Sequence, residues 1–334
     1  MATIKDVAKV AGVSIATVSR VIHNGGKVGE ACRARVKKVI KELDYRPNSN
    51  ASALAGKTTN TIGLVTPKLS MSFFGSLASG VEKSARENKV KLLMSNSLYE
   101  TQSELDAIES LRDHNCKAII LHSEYSDEKT LIELAEKVPG LVLINRYIPQ
   151  LANRCVWLDN LSCAQIATQY LVDKGHKNFA VITSIYQNRD PSNRLMGTKK
   201  SLSDNGITLL PKNIEESTAN IEGGEQAVKA LLNKGCKFTA LLAYNDLMAI
   251  GAIHALFEAG INVPEEVSVI GFDDLIVSRA CRPQLTTMHY PVEEMASYAT
   301  NLAIHLSDIN NKPTNKTHLF IADIVERDSV KDIS

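Results

Sequence analysis

No apolar run in this 334-residue sequence approaches the length of about 18 residues that a membrane-spanning helix needs, so no membrane partner is expected. The opening residues also lack the charged-then-apolar order of a secretion signal, which makes the cytoplasm the expected location. Cysteine is present but unorganised: Cys32, Cys116, Cys155, Cys163, Cys236 and Cys281 stand far apart, with no C-x-x-C pair and no paired histidines beside them. Neither a zinc site nor a disulfide framework is expected, and the six are read as free thiols in a reducing compartment. Three enzyme motifs are missing too. There is no G-x-G-x-x-G after the first strand-like run, no G-x-x-x-x-G-K-[ST] and no G-x-S-x-G, which removes the usual phosphate cradles and the nucleophile elbow. The chain is expected not to be an enzyme, with no catalytic residue, metal or cofactor. Its single tryptophan, Trp157, is read as structural.

What the sequence does contain begins with length and charge. At 334 residues it exceeds one typical core, and about 100 to 200 residues per domain suggests two or three units. The net charge of +1 hides a division: up to Asn60 there are eleven Lys and Arg against four Asp and Glu, net +7, while the remaining 27 basic and 33 acidic residues give −6. A basic amino-terminal piece is the electrostatic footprint of a nucleic-acid partner. Within it, Ile4, Val7, Ala8 and Ala11 keep i, i+3, i+4, i+7 spacing, and Val18, Val21 and Ile22 repeat that pattern. Thr3 can cap the first helix and Ser14 the second, with Gly12 in the turn between them. Ile15, Ala16, Ser19 and Arg20 point away from the apolar stripe. Two short helices joined this closely predict a helix-turn-helix whose outward face can enter a groove. A third helix carries Val36, Val39, Ile40 and Leu43 on one side and Arg33, Arg35, Lys37, Lys38 and Lys41 on the other. "YRPN" ends that pattern at Pro47, and "NSNASALAGK" follows.

From Thr61 the texture changes to short apolar runs, "TIGLVT", "KLLMSN", "KAIILH", "GLVLINR", "FAVITS", "FTALLAYND" and "VSVIGFDD", alternating with amphipathic stretches. Such a rhythm predicts parallel sheets covered by helices on both faces, in two α/β lobes of about 130 residues each. Ligands of such lobes bind at the carboxyl ends of strands, and here those ends carry Asn145 and Arg146, Asn245 and Asp246, and Asp273 and Asp274. The same residues could instead cap the helices that follow.

Taken together, "TIKDVAKVAGVSIATVSRVI", "YRPN" with "ALAGK", "TIGLV" before "FFGSLASGVE", "LVDKGHKNFAVI", "YNDLMAIGA", "VSVIGFDD" and "PQLTTMHYP" resemble the lactose-repressor family of bacterial transcription regulators over essentially the whole chain. The implied fold is an N-terminal all-α helix-turn-helix domain (1–46), a hinge helix or linker (47–58) and an α/β two-lobe periplasmic-binding-protein-like effector and dimerisation domain with parallel sheets (59–334). "MATIKDVA", "VSIATVSRVI", "LINR", "NRC" and "GFDDLIVSR" are most similar to members that answer to galactose.

The resemblance implies a homodimer on a palindromic operator. The second helix would lie in the major groove, with Ile15 and Ala16 against thymine methyl groups or groove shape and Arg20 forked onto guanine. Ser14, Thr17 and Ser19 would hold backbone oxygens. Two hinges would fold against each other on DNA, with Asn48 and Ala51 among the contacts and Leu54 wedged into the minor groove. Gly29 stands where the family usually has a Ser cap, a loss of only a few tenths of a kcal/mol. By the same match, Asp273, Arg194 and Asn245 would grip sugar hydroxyls from the second lobe, and Asn145 and Arg146 would approach from the first. Phe73, Phe74, Phe272 and Tyr290 would form aromatic walls, the alternative for Phe73 and Phe74 being plain core. The implied effector is D-galactose; another sugar or a purine corepressor is the rival. The stretch "STANIEGG" lacks the tryptophan that some sugar-binding members stack there, and "VERDSVKDIS" has no leucine heptads for a tetramer bundle.

Overall fold

The computed structural model describes residues 2–22, 25–45, 60–186, 188–308, 310–311 and 318–334. The chain divides into two compact units, Met1–Asn60 and Thr61–Ser334. The segment 47–58, with Asn48, Ala51 and Leu54, lies outside the described residues.

In the first unit, α1 (Ile4–Ala11), α2 (Ile15–Ile22) and α3 (Glu30–Glu42) enclose Val7, Ala8, Ala11, Val18, Val21, Val36 and Val39. Thr3 and Asp6 form a capping box: the Thr3 amide donates to Asp6 Oδ2 at 2.8 Å and the Asp6 amide to Thr3 Oγ1 at 3.4 Å. Gly12 ends α1 at φ 64°, a left-handed conformation that costs a residue without Cβ little. Ser14 Oγ then accepts the Thr17 amide at 3.2 Å and starts α2. Gly29 begins α3 with no side-chain cap.

The second unit holds two six-stranded sheets. The first has the order β11-β5-β4-β3-β1-β2 and comprises β1 (Thr61–Thr66), β2 (Lys91–Asn96), β3 (Ala118–Leu121), β4 (Gly140–Ile144), β5 (Cys155–Leu158) and β11 (His318–Phe320). The second has the order β12-β10-β9-β8-β6-β7 and comprises β6 (Phe179–Ser184), β7 (Ile214–Ser217), β8 (Ala240–Ala243), β9 (Ser268–Phe272), β10 (Thr286–His289) and β12 (Asp323–Val325). All pairings are parallel except β10 with β12, which is antiparallel. The central strands β1, β3 and β4 are buried along their whole length, as their unbroken apolar sequences require. Edge strand β2 is not: Leu93 and Met94 are exposed.

Helices α4 (Ser72–Glu87), α5 (Thr101–Asp113), α6 (Glu128–Lys137) and α12 (Val292–Leu306) belong to the first lobe, and α7 (Asn160–Asp173), α8 (Arg189–Asp204), α9 (Ile221–Asn233), α10 (Asp246–Glu258) and α11 (Ile276–Ala280) to the second. The chain therefore passes between the lobes three times, after β5, after β10 and between β11 and β12. Helices α9 and α10 approach closely because each presents a glycine: a Cβ on Gly224 would stand 2.1 Å from the Met248 carbonyl oxygen, and one on Gly251 1.9 Å from that of Ile221. All six cysteines are free, and no helix among the described residues is long and apolar enough to cross a membrane.

Candidate functional site

On the first unit, burial of Val18 and Val21 turns the rest of α2 outward. Ile15 is 45% exposed, Ala16, Ser14 and Arg20 are exposed, and Thr17 and Ser19 are half-buried. The Ser14 and Thr17 hydroxyls stand 3.0 Å apart, so the cap and the helix share one hydrogen bond. Arg35, Lys37, Lys38 and Lys41 are exposed on α3, but Arg33 departs from the expected basic face. It is half-buried and its Nη2 donates to the Gly25 carbonyl at 2.8 Å, tying α3 to the preceding loop.

In the second unit, the strand ends of both lobes meet around a cavity of about 70 Å³. Phe73, Phe74, Asn145, Arg194, Asn245, Asp273 and Tyr290 line it, all expected from sequence. At each of the three strand ends flagged in the sequence, the first residue of the polar pair lines the cavity and the second does not. Asn145, Asn245 and Asp273 face it; Arg146, Asp246 and Asp274 are elsewhere. Arg146 Nη1 lies 3.3 Å from Ser123 Oγ beside a neighbouring cavity, correcting its expected place. Asp246 is fully buried and accepts the Leu275 amide at 2.7 Å, and Asp274 pairs with Arg327 and, at 3.0 Å, with His289. The second residues hold the loops that present the first.

That presentation is strained. Asn145 has φ 58° and Asp273 φ 110°, both in the region that residues with side chains rarely adopt. Asn145 donates from Nδ2 to Asp190 Oδ2 at 2.8 Å and accepts from the Tyr290 hydroxyl at 2.6 Å, which joins a lobe-one strand end to α8 and to the second crossover. Asn245 behaves as the capping alternative anticipates: its Oδ1 accepts the Met248 amide at 2.9 Å and its Nδ2 donates to the Ala219 carbonyl at 3.2 Å. Arg194 is held by Asn160, whose Oδ1 accepts from Nε at 2.7 Å, and by the Tyr244 carbonyl. Its guanidinium lies 3.5 Å from the Phe272 ring centroid, so Phe272 is a platform under Arg194 and does not line the cavity as expected. Arg194 Nη2 is 4.0 Å from Asp273 Oδ1. The Phe73 ring stands 4.9 Å from Tyr290 and 5.3 Å from Phe74, both edge-on.

The sequence reading missed the acid beside Arg194. Asp190 is 9% exposed and accepts from both Asn145 and Asn160. A signal for it exists: Pro191 suits a helix start, and Asp190 and Arg194 are four apart on one helix face. Tyr99, His122, Glu124, Tyr186, Asn188 and Tyr244 were missed as well. Burial pushes the Asp273 carboxyl up to about 7 and raises that of Asp190. Burial likewise lifts Glu124, with Asp190 and Glu104 nearby, to about 7, and holds His122 down at about 4, neutral. The arrangement is one of acceptors and donors aimed at a neutral polar ligand. No cluster of metal-ligating side chains occurs among the described residues.

Comparison with known proteins accords with both halves. Residues 3–48 match the bacterial regulatory proteins of the lacI family, and 168–330 match a periplasmic binding protein-like domain. The HTH-type transcriptional regulator GalR of Escherichia coli (strain K12) is 44% identical over 331 residues, covering 99% of this chain and 96% of that protein. The chain belongs to the lacI family.

Other relatives are the HTH-type transcriptional regulator GalS of Salmonella typhimurium (41% identical; 99% of this chain, 97% of that one) and AscG of Escherichia coli (36%; 99% and 98%). A lac repressor dimer bound to operator and an anti-inducer superposes with a TM-score of 0.88 at 25% identity, covering 99% of each chain. Like its relatives in the lacI family, the chain is a DNA-binding transcription regulator and not an enzyme. Its effector half has the two-lobe fold of those structures.

Proposed function

We propose that two copies of this cytoplasmic regulator hold a palindromic operator and repress transcription from it, and that a neutral hexose, D-galactose, enters the interlobe cavity and releases the DNA. The observation that carries the effector reading is Arg194. Its guanidinium rests on Phe272, 4.0 Å from the mostly buried Asp273 carboxyl and on the same helix face as the buried Asp190, in a cavity that the Phe73 and Tyr290 rings also line. A fork of donors next to two acceptors suits vicinal hydroxyls, and the aromatic edges suit the apolar face of a sugar ring. Two carboxylates against one guanidinium disfavour a phosphorylated ligand. Galactose is the hexose that the sequence resemblance implies.

On the DNA side, the exposed Ile15 and Ala16 suit thymine methyl groups, and the exposed Arg20 suits guanine. Ser14, Thr17 and Ser19 would fix register on phosphates, and the hinge residues Asn48, Ala51 and Leu54 would complete the contact. Dimerisation is supported by exposed apolar side chains on both lobes, Met94 and Leu98 on the first and Phe257 and Ile276 on the second, which a second copy would cover.

The test is fluorescence anisotropy on a labelled palindrome selected by the purified protein, at fixed salt, with D-galactose titrated beside glucose, ribose and hypoxanthine. Release by galactose alone is the expected result. Release by another of the four transfers the cavity to that ligand; tighter binding with hypoxanthine makes it a corepressor site.

A further inference from the structure

The cavity assigned to the hexose holds about 70 Å³, far below the roughly 300 Å³ at which ligand pockets begin. A sugar ring is admitted only if part of the lining yields. Much of that lining is fixed in the core: Phe74, His122, Arg194, Asn245 and Tyr290 are all buried. The lining residues that also reach solvent include two tyrosines, Tyr99 from the loop after β2 and Tyr186 from the loop after β6, both half-buried. They belong to different lobes, and their rings stack on each other with centroids 6.0 Å apart and planes 18° from parallel. A stack between facing lobes at the solvent edge of a cavity lies across its mouth.

Both rings are held in place for this contact. The loop after β2 is tied to the end of β1, where the Ser97 amide donates to the Thr66 carbonyl at 2.8 Å and the Leu98 amide to that of Pro67 at 3.0 Å. Leu98 and Tyr99 follow at φ 53° and 61°, two successive residues with side chains in the left-handed region. That turn brings the Tyr99 hydroxyl to Met71 Sδ, to which it donates at 2.7 Å. On the second lobe the Ile185 amide donates to the Ser217 carbonyl and the Tyr186 amide to Ser184 Oγ, each at 3.1 Å. Tyr125 stands edge-on to Tyr99 at 6.4 Å and Tyr244 edge-on to Tyr186 at 6.2 Å. In this file of four tyrosines only the middle contact crosses between the lobes. The other contacts across the cleft differ in kind. Glu128 and Arg189 pair in the open at 3.1 Å, which is worth little, and the 2.8 Å hydrogen bond from Asn145 to Asp190 joins groups that can bond again to the hydroxyls displacing them. The ring stack is simply lost when the lobes part.

We propose that the stack of Tyr99 on Tyr186 is an autoinhibitory clasp: it holds the mouth shut in competition with the sugar, which binds only the arrangement in which the two rings have parted. The inference rests on the reading of the cavity as a hexose site. An aromatic pair shifts an equilibrium by a factor of about two to ten. The apparent dissociation constant rises by the same factor, because it is the intrinsic constant divided by the fraction of open protein. The pair thereby sets the sugar concentration at which the regulator responds.

The sign of the effect makes the test direct, since removing a residue that touches the sugar weakens binding and removing a clasp strengthens it. Tyr99→Leu, Tyr186→Leu, the double variant and Tyr99→Phe are made in the full-length protein, and D-galactose binding is measured by calorimetry. Each leucine variant is expected to bind D-galactose about two- to tenfold tighter than the parent. The double variant is expected to match the tighter single one, because either substitution already removes the shared contact. Tyr99→Phe, which restores the ring, is expected to return the affinity to within about twofold of the parent. Methionine replaces leucine at either position if circular dichroism shows that the leucine variant does not fold. Weaker binding by either single variant, unchanged affinity, or gains that multiply in the double variant overturns the clasp and leaves the hexose reading standing. If the parent does not bind D-galactose, the hexose reading falls and this inference with it.

Discussion

Asp273 illustrates what a residue in such a site costs the fold. It is held at φ 110° and mostly buried, and burial pushes its carboxyl up to about 7 from an ordinary 3.8. The folded chain thus keeps a proton that the unfolded chain releases. The resulting stabilisation is complete below pH 3.8 and is lost as pH rises through about 7. Asp273→Asn removes this titration, so the melting temperature of the variant relative to the parent is expected to climb between pH 4 and pH 8, as read by circular dichroism. A gap independent of pH would show that Asp273 ionises normally. The same residue is expected to matter to release in the opposite sense. Asp273→Ala should bind operator as before while weakening galactose roughly 10- to 100-fold, the scale of a lost charged hydrogen bond, in an anisotropy release assay.

At the level of elements, the two glycines that let α9 and α10 touch leave no room for a side chain at their contact. Gly251→Ala would place a methyl group 1.9 Å from the Ile221 carbonyl oxygen, too close for a side chain to adjust. A loss of about 1 to 3 kcal/mol or more is expected in urea unfolding, with Ala252→Gly, one residue on, as the control for helix propensity. The stripes of α1 and α2 and the unbroken apolar strands β1, β3, β4, β6 and β8 were legible because one period dominated each. Helix α8, with hydrophilic "RDPSNR" at its start, has no such stripe: its buried face is built from Asp190, Arg194, Gly197, Thr198 and Ser201 as much as from apolar residues. Asp190 and Arg194 on that polar face line the cavity. Strand-end reasoning points to Asn145 and Asp273 but does not say which member of each pair lines the cavity. That choice is made by partners distant in sequence, such as Arg327 for Asp274 and Leu275 for Asp246.

For the whole molecule, the proposed function has sugar and operator act on one equilibrium, so their effects are expected to match. If saturating galactose weakens operator binding by some factor, saturating operator must weaken galactose by the same factor. Calorimetry of galactose with and without operator is expected to return the ratio that anisotropy gives for DNA. Unequal factors would mean that the two ligands do not share a single two-state linkage. Moving such a system from 1:99 to 99:1 takes about 5.5 kcal/mol of differential affinity, which two effector sites in the proposed dimer would divide.

The three passages of the chain between the lobes carry a consequence for biosynthesis. The first sheet is finished only by β11, and α12, which packs on α4, β3 and β4, is made after every element of the second lobe except β12. During translation the first lobe must wait with Ile62, Leu64, Val142 and neighbouring apolar side chains lacking their final cover until residues near 320 emerge. A ribosome stalled before α12 would release a chain with an open apolar sheet, a substrate for chaperones and proteases and not a partly working regulator. Pulse-labelled chains stopped at residue 290 should accordingly be degraded faster than full-length ones.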